Sequence, residues 1–218
     1  MTEQVRYVTQ VPMRVAPVTL AGRKARLVPM TREHVEALFR AGNFSEIWEH
    51  TSTPPMTTMR DTTSYVETAL AEQAAGRAIP LVTTDPVTGE IIGATRFADI
   101  DTTHRRLAIG WTWLRPDRQH TGVNGEAKAM MLRHAFDVWG ALRVEIRTDV
   151  HNAASRAAIE RIGGTCEGTF RQHMIVGGGR VRDTAYYSII DLDWRNPNHR
   201  AYMNAVSYGI TPKAESVI

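Results

Sequence analysis

The sequence is poor in cysteine and poor in lysine. A single cysteine, Cys166, in 218 residues excludes an intramolecular disulfide and any multi-cysteine zinc or iron–sulfur centre. The 8 histidines form no His-Glu-x-x-His and no i,i+4 pair, so no metal is expected. No apolar run approaches the roughly 20 residues of a membrane span. The N-terminus, broken by Glu3, Gln4 and Arg6, lacks the apolar core of a signal peptide. The default expectation is a soluble cytoplasmic protein with no membrane partner. Gly125 is followed by Glu126 and Ala127, which excludes a P-loop there. Neither a Gly-x-Gly-x-x-Gly fingerprint nor a Gly-x-Ser-x-Gly elbow occurs.

What is present has globular proportions: 43% hydrophobic and 22% charged residues, in a length suited to one domain. Only 3 of the 26 basic residues are lysines, and the net charge of +3 is too weak to argue for nucleic acid. The arginine excess has two readings. One is genome composition. The other is a phosphate-bearing ligand, because the guanidinium fork suits phosphate oxygens.

Residues 1–16 read as an arm or a loose first strand. Val18–Leu20 and Ala25–Val28, joined through Ala21-Gly22, read as a β-hairpin. Thr31 is placed as the cap of a helix with Val35, Leu38 and Phe39 on one face, ending at Gly42. Residues 43–60 are loop-like, and Asp61 is placed as the cap of a second helix running to Gly76. Strands follow at Ile79–Thr84, Glu90–Ala98 and Arg106–Leu114. The next helix carries the stripe Ala127, Met130, Met131, Ala135 and Val138 and stops at Gly140. Arg143–Asp149 is a strand, and Asn152 caps a short helix closed by Gly163-Gly164. Cys166–Val176 and Val181–Asp193 are the last strands, and 195–218 is a weakly patterned tail. Cys166 is read as a buried small hydrophobe rather than a nucleophile. The order describes a mixed α/β sheet with helices on its faces.

The informative stretch is Trp111 to Gly125. A strand delivers the chain to a loop with two glycines, and the loop opens a helix. Amides at a helix N-terminus are orphan donors, and the dipole there favours an anion. Glycine lets the backbone approach a ligand closely. Such a turn can hold a phosphate, although by spacing alone it is equally a tight turn.

The run Ile109-Gly110-Trp111-Thr112-Trp113-Leu114-Arg115-Pro116, followed by His120-Thr121-Gly122-Val123-Asn124-Gly125-Glu126-Ala127-Lys128, resembles the GNAT acetyltransferases of the RimJ/RimL type. So do His134-Ala135-Phe136, Arg143-Val144-Glu145, Asn152-x-x-Ser155, Gly163-Gly164 and Arg182-Asp183-Thr184, in family order across residues 18–194. The resemblance implies a GNAT-like acyl-CoA N-acyltransferase fold, a mostly antiparallel central sheet flanked by about four helices. The domain would span 17–194, with an arm at 1–16 and a tail at 195–218. It also implies an acetyl-CoA-dependent N-acetyltransferase that releases CoA and uses no metal. The acceptor would be a small-molecule or peptide amine, with no stable nucleic-acid partner. By position, His120, Thr121, Gly122, Val123, Asn124 and Gly125 would wrap the CoA pyrophosphate, and Trp113 and Leu114 would pair with the pantetheine arm. Asn152 sits where the family uses an Asn near the pantetheine. Ser155 matches the position from which a hydroxyl approaches the thioester sulfur. Trp48, Glu49 and His50 occupy the loop that borders the acceptor, where Trp48 suits an amine pocket and a core position equally, and Trp111 is grouped with them.

The chain departs from the family at Ala108, where members often carry a Glu that relays the amine's proton through water. Glu145 on the neighbouring strand is the first substitute, with Asp99, Asp101 and His104 behind it. A protein using water, or a non-catalytic acyl-CoA-binding protein on the same fold, is also allowed. A monomer and a homodimer fit equally. Residues 105–182 hold 13 basic and 7 acidic residues, while 1–104 hold 10 and 12. The positive balance thus falls in the half that would hold the cofactor, with Arg115, Arg118 and Arg156 as the first phosphate candidates.

Overall fold

Eight strands form one sheet in the computed structural model, which describes residues 5–207. In chain order they are β1 (Leu20–Ala21), β2 (Arg26–Pro29), β3 (Ile79–Thr84), β4 (Ile91–Asp101), β5 (Arg106–Leu114), β6 (Arg143–Asp149), β7 (Thr165–Val176) and β8 (Arg180–Ile190). Helices α1 (Val35–Gly42) and α2 (Met59–Ala74) separate β2 from β3. Helix α3 (Val123–Arg133) lies between β5 and β6, and α4 (Ala153–Arg161) between β6 and β7. Helices α5 (Asp191–Arg195) and α6 (Pro197–Ser207) follow β8. The strand order is β1-β2-β3-β4-β5-β6-β8-β7, antiparallel throughout except for β5 beside β6. Antiparallel neighbours close through tight turns, whereas a parallel pair needs a crossover, and α3 supplies it.

Alternation along the strands fills two cores. Leu107, Ile109, Val144, Ile146 and Tyr187 pack with α3 on one face. Ala94 and Trp113 pack with Leu38, Trp48 and Tyr65 of the α1–α2 side on the other. The second face is covered only over β2 to β5, and β7 is exposed along nearly its whole length.

Several expectations change. The cap of α2 is Thr58, not Asp61; Asp61 is the third helical residue and returns its carboxylate to the Thr58 amide at 2.8 Å, completing a capping box. Val138 is exposed because α3 gives way to a π-helical turn at His134–Val138, and the extra residue rotates it off the apolar face. Cys166 is exposed, since no helix covers the edge strand on which it sits. The last strand ends at Ile190, its expected end Asp191–Asp193 turns into α5 with Trp194 in the core, and residues expected as tail build α6, which places Tyr202 and Met203 there. The arm is tied down by an Arg6–Asp191 ion pair and by the buried Met13. Residues 1–4 of the arm and 208–218 of the tail lie outside the described residues.

One buried carboxylate fastens the two ends of this half. Glu126 of α3 accepts the amides of Arg23, Lys24 and Ala25 at 3.0, 2.7 and 2.8 Å, holding the β1–β2 turn against the helix. Gly22 is required there, because a Cβ would collide with the Glu126 carboxylate. Replacing Glu126 by Ala strands three amides, and urea denaturation is expected to show a loss of about 3 to 5 kcal/mol, with Glu126→Gln recovering part of it.

Candidate active site

Strands β5 and β6 pair only through Arg106–Ala108 and Arg143–Glu145. Beyond Ala108 they separate, and β6 continues along β8 alone. The outer edge of β5 from Ile109 onward is therefore an unpaired row of backbone donors and acceptors. A bulge sits in this edge: Arg96 of β4 faces Gly110, but Ala94 faces Trp113, so β5 carries one extra residue. Trp111 absorbs it with φ +49.

At its far end β5 enters the loop before α3. His120 and Gly122 take φ of +59 and +90. The first helical bond runs from the Glu126 amide to the Gly122 carbonyl at 3.0 Å. The amides of Val123, Asn124 and Gly125 thus have no acceptor within the helix, and no side chain caps them. Thr121 turns inward, its hydroxyl donating to the Arg118 carbonyl at 2.7 Å. The Asn124 Oδ1 atom is buried with no partner. Lys24 stands over this turn and donates from Nζ to the Thr121 carbonyl at 3.3 Å. A Cβ on Gly122 would lie 2.7 Å from that ammonium. Orphan amides and a cation meet at one turn, and this donor set suits a phosphorylated ligand.

The expected arginines are otherwise engaged. Arg115 holds Glu90 and Asp117, and Arg118 holds Asp85 at 3.1 Å. Arg156 donates to the Tyr187 hydroxyl at 3.1 Å. Lys24 was missed because it lies 97 residues from Thr121 and nothing in its own neighbourhood marks it.

Asn152 caps α4, accepting the Ser155 amide at 2.9 Å. The Ser155 side chain is half-buried in that first turn. Of the two readings of Trp48, the core one describes its side chain: it is 5% exposed, lies 5.5 Å from the Trp113 ring, and donates to the Gly42 carbonyl. Trp113 and Leu114 are buried side chains, and their backbone alone reaches the β5 edge. Glu49 is exposed and His50 half-buried in the loop before α2. Trp111 is 41% exposed on the open face.

Glu145 lies beside Ala108 as expected, but both its oxygens are engaged, by Arg143 at 3.0 Å and Arg147 at 2.6 Å. Burial pushes its carboxyl up, yet Arg147 and Arg143 together hold it below the usual carboxylate range. That is the wrong direction for a proton acceptor. Asp99 is likewise spent on Arg147.

Beneath the bulge lies a residue that sequence reasoning passed over. Lys128 of α3 is buried, and its Nζ meets the hydroxyls of Thr112 and, at 3.3 Å, Thr95. The two hydroxyls lie 2.8 Å apart. Burial without a carboxylate partner pushes the Lys128 ammonium down to about 7. Among the described residues no group of three or more His, Cys, Asp or Glu is placed to hold a metal ion, and no helix is long and apolar enough to cross a membrane.

The profile of the family described as an acetyltransferase (GNAT) domain matches residues 24–165. A Bacillus subtilis protein provisionally named as ribosomal N-acetyltransferase YdaF is 31% identical over 106 residues, 49% of this chain; the match spans 57% of that relative's length. A GCN5-related N-acetyltransferase from Brucella melitensis superposes with a TM-score of 0.80 at 27% identity, covering 89% of this chain and 90% of its own. Mycobacterium smegmatis RimJ, solved with a CoA disulfide, shares the fold with a TM-score of 0.73 at 23% identity, covering 87% of this chain and 95% of its own.

Lys128 links stability to pH. Its folded value near 7 lies below the unfolded 10.5, so between them the unfolded chain binds more protons and stability rises with pH. Urea unfolding at pH 7 and pH 9 is expected to show this rise, and Lys128→Met is expected to remove that residue's share of it.

Proposed function

The chain belongs to the GNAT acetyltransferase family, and from that premise we propose that it moves an acetyl group from acetyl-CoA to a primary amine by direct attack in a ternary complex. The observation that carries this reading is the turn at Gly122. Three orphan amides and Lys24 stand at the end of an unpaired strand edge, so one extended phosphorylated molecule can engage both. Acetyl-CoA bound there supplies an activated thioester.

The amides of Val123, Asn124 and Gly125, the His120–Gly122 turn and Lys24 hold the phosphates. Arg118 and Arg156 frame the groove, through Asp85 and Tyr187 respectively. The backbone of Trp113 and Leu114 and the Asn152 side chain bind the pantetheine arm. The residues 17–194 form the catalytic unit, and α6 braces α3 from behind.

The acceptor comes from the opposite face, past Trp111, Glu49 and His50. A free amine attacks and an ammonium does not, so the acceptor must shed a proton. With Ala108 in place of a carboxylate and Glu145 held by two arginines, water takes that proton. Ser155 Oγ holds a proton for the departing thiolate. The name of the Bacillus relative makes a ribosomal protein one acceptor to test.

Acetyl-CoA at 100 times its Kd is expected to stabilise the protein by about 2.7 kcal/mol. No rise in melting temperature at millimolar acetyl-CoA would sink the proposal. Lys24→Ala is expected to raise the KM for acetyl-CoA about tenfold while sparing S-acetylpantetheine, which has no pyrophosphate. Equal effects on both donors would place the phosphates elsewhere. Ser155→Ala is expected to lower kcat by about 10- to 100-fold with a smaller change in KM; a wild-type kcat removes its role.

A further inference from the structure

Arg96 lies on β4 opposite Gly110, beside the bulge, on the face that carries α2. It is 4% exposed, and no hydrogen bond or ion pair joins its guanidinium to a described residue. Its Nε is sealed from solvent without an acceptor. Its guanidinium carbon lies 5.4 Å from the Tyr65 ring centroid and 4.7 Å from that of Trp111. Aromatic contact satisfies charge normal to the rings, but guanidinium N–H groups point outward in their own plane. The donors therefore remain unspent.

The nearby carboxylates do not answer them. Glu72 lies within the field of Arg96, but it gives both oxygens to Arg77 at 2.7 and 2.9 Å; Asp99 binds Arg147, and Glu145 binds Arg143 and Arg147. A buried guanidinium fixed by two rings, with its fork free, is prepared for a planar anion. Arg147 of β6 is already paired with Asp99 and Glu145, so the single free guanidinium suits one carboxylate better than a phosphate dianion.

We propose that Arg96 docks a carboxylate carried by the amine acceptor. The preferred acceptors are then primary amines with a carboxylate a few bonds from the nitrogen. Such a group occurs in a free α-amino acid and in a peptide beginning with Asp or Glu. The short separation follows from position: β4 lies one strand spacing of about 4.8 Å from β5, and the Arg96 guanidinium extends over Trp111 of β5, the strand whose other edge faces the reacting centre. Trp111, turned onto Arg96 by its left-handed backbone, forms the wall between them. This assignment rests on the wedge between β5 and β6 being the acetyl-transfer site.

The test measures CoA release with α-amino acids and their decarboxylated amines, and with peptides beginning Asp or Glu against Asn or Gln. Carboxylated acceptors are expected to have kcat/KM about 30-fold higher, and Arg96→Gln to collapse that ratio toward one. Arg96→Lys, which keeps the charge without the fork, is expected to retain part of it and serves as the variant if Arg96→Gln does not fold. Whichever carboxylated set is preferred identifies the source. Equal rates for both members of each pair, a ratio that survives substitution, a preference for phosphorylated amines, or no turnover of any carboxylated amine overturns the assignment. Acetyl-CoA thermal stabilisation is measured in parallel; its absence in the wild type would instead indict the acetyl-transfer reading itself.

Discussion

The constraint on which the rest depends is that β5 and β6 are parallel neighbours bonded over only three residues each. Parallel neighbours require a crossover, and the crossover here is α3. Its N-terminus must start where β5 ends, so orphan amides arise beside a strand edge that has just lost its partner. Shortness of the pairing opens the wedge, and the crossover supplies the helix end with its unpaired amides. Two other features hang from the same helix. Glu126 grips the β1–β2 turn and so carries Lys24 over the loop, and Lys128 reaches the two threonines under the bulge.

Much of this was legible in the sequence because it is local. The strand–loop–helix between Trp111 and Gly125 announces itself through alternation, two glycines and a helical stripe, and its resemblance to the family motifs is local too. Asn152 reads as a cap for the same reason. What escaped reading depends on distant partners. Lys24 acquires its position through a carboxylate about a hundred residues away. Lys128 looks like a solvated helix residue until the bulge places hydroxyls above it. Trp48 beside Glu49 and His50 suggested a pocket, but the indole finds Trp113 instead. Val138 failed for a subtler cause: the π-helical turn changes the period on which the stripe was counted.

The arginine excess also reads differently in three dimensions. Its local surplus between 105 and 182 suggested guanidinium forks waiting for phosphates. Most of those near the loop are locked to carboxylates or, for Arg156, to a tyrosine hydroxyl. They stiffen the frame around the groove. Exposed ion pairs contribute little stability individually, but they fix where neighbouring backbone lies. Lys24 over the turn and Arg96 on the opposite face, by contrast, are held by no carboxylate.

The grip of Glu126 on the β1–β2 turn has a consequence for how the chain is made. The amides of residues 23–25 leave the ribosome about a hundred residues before the carboxylate that will accept them. At synthesis rates of about 5 to 20 residues per second, the hairpin waits some 5 to 20 seconds with its turn unclaimed. During translation, then, Lys24, the lysine over the Gly122 turn, is made early and positioned late.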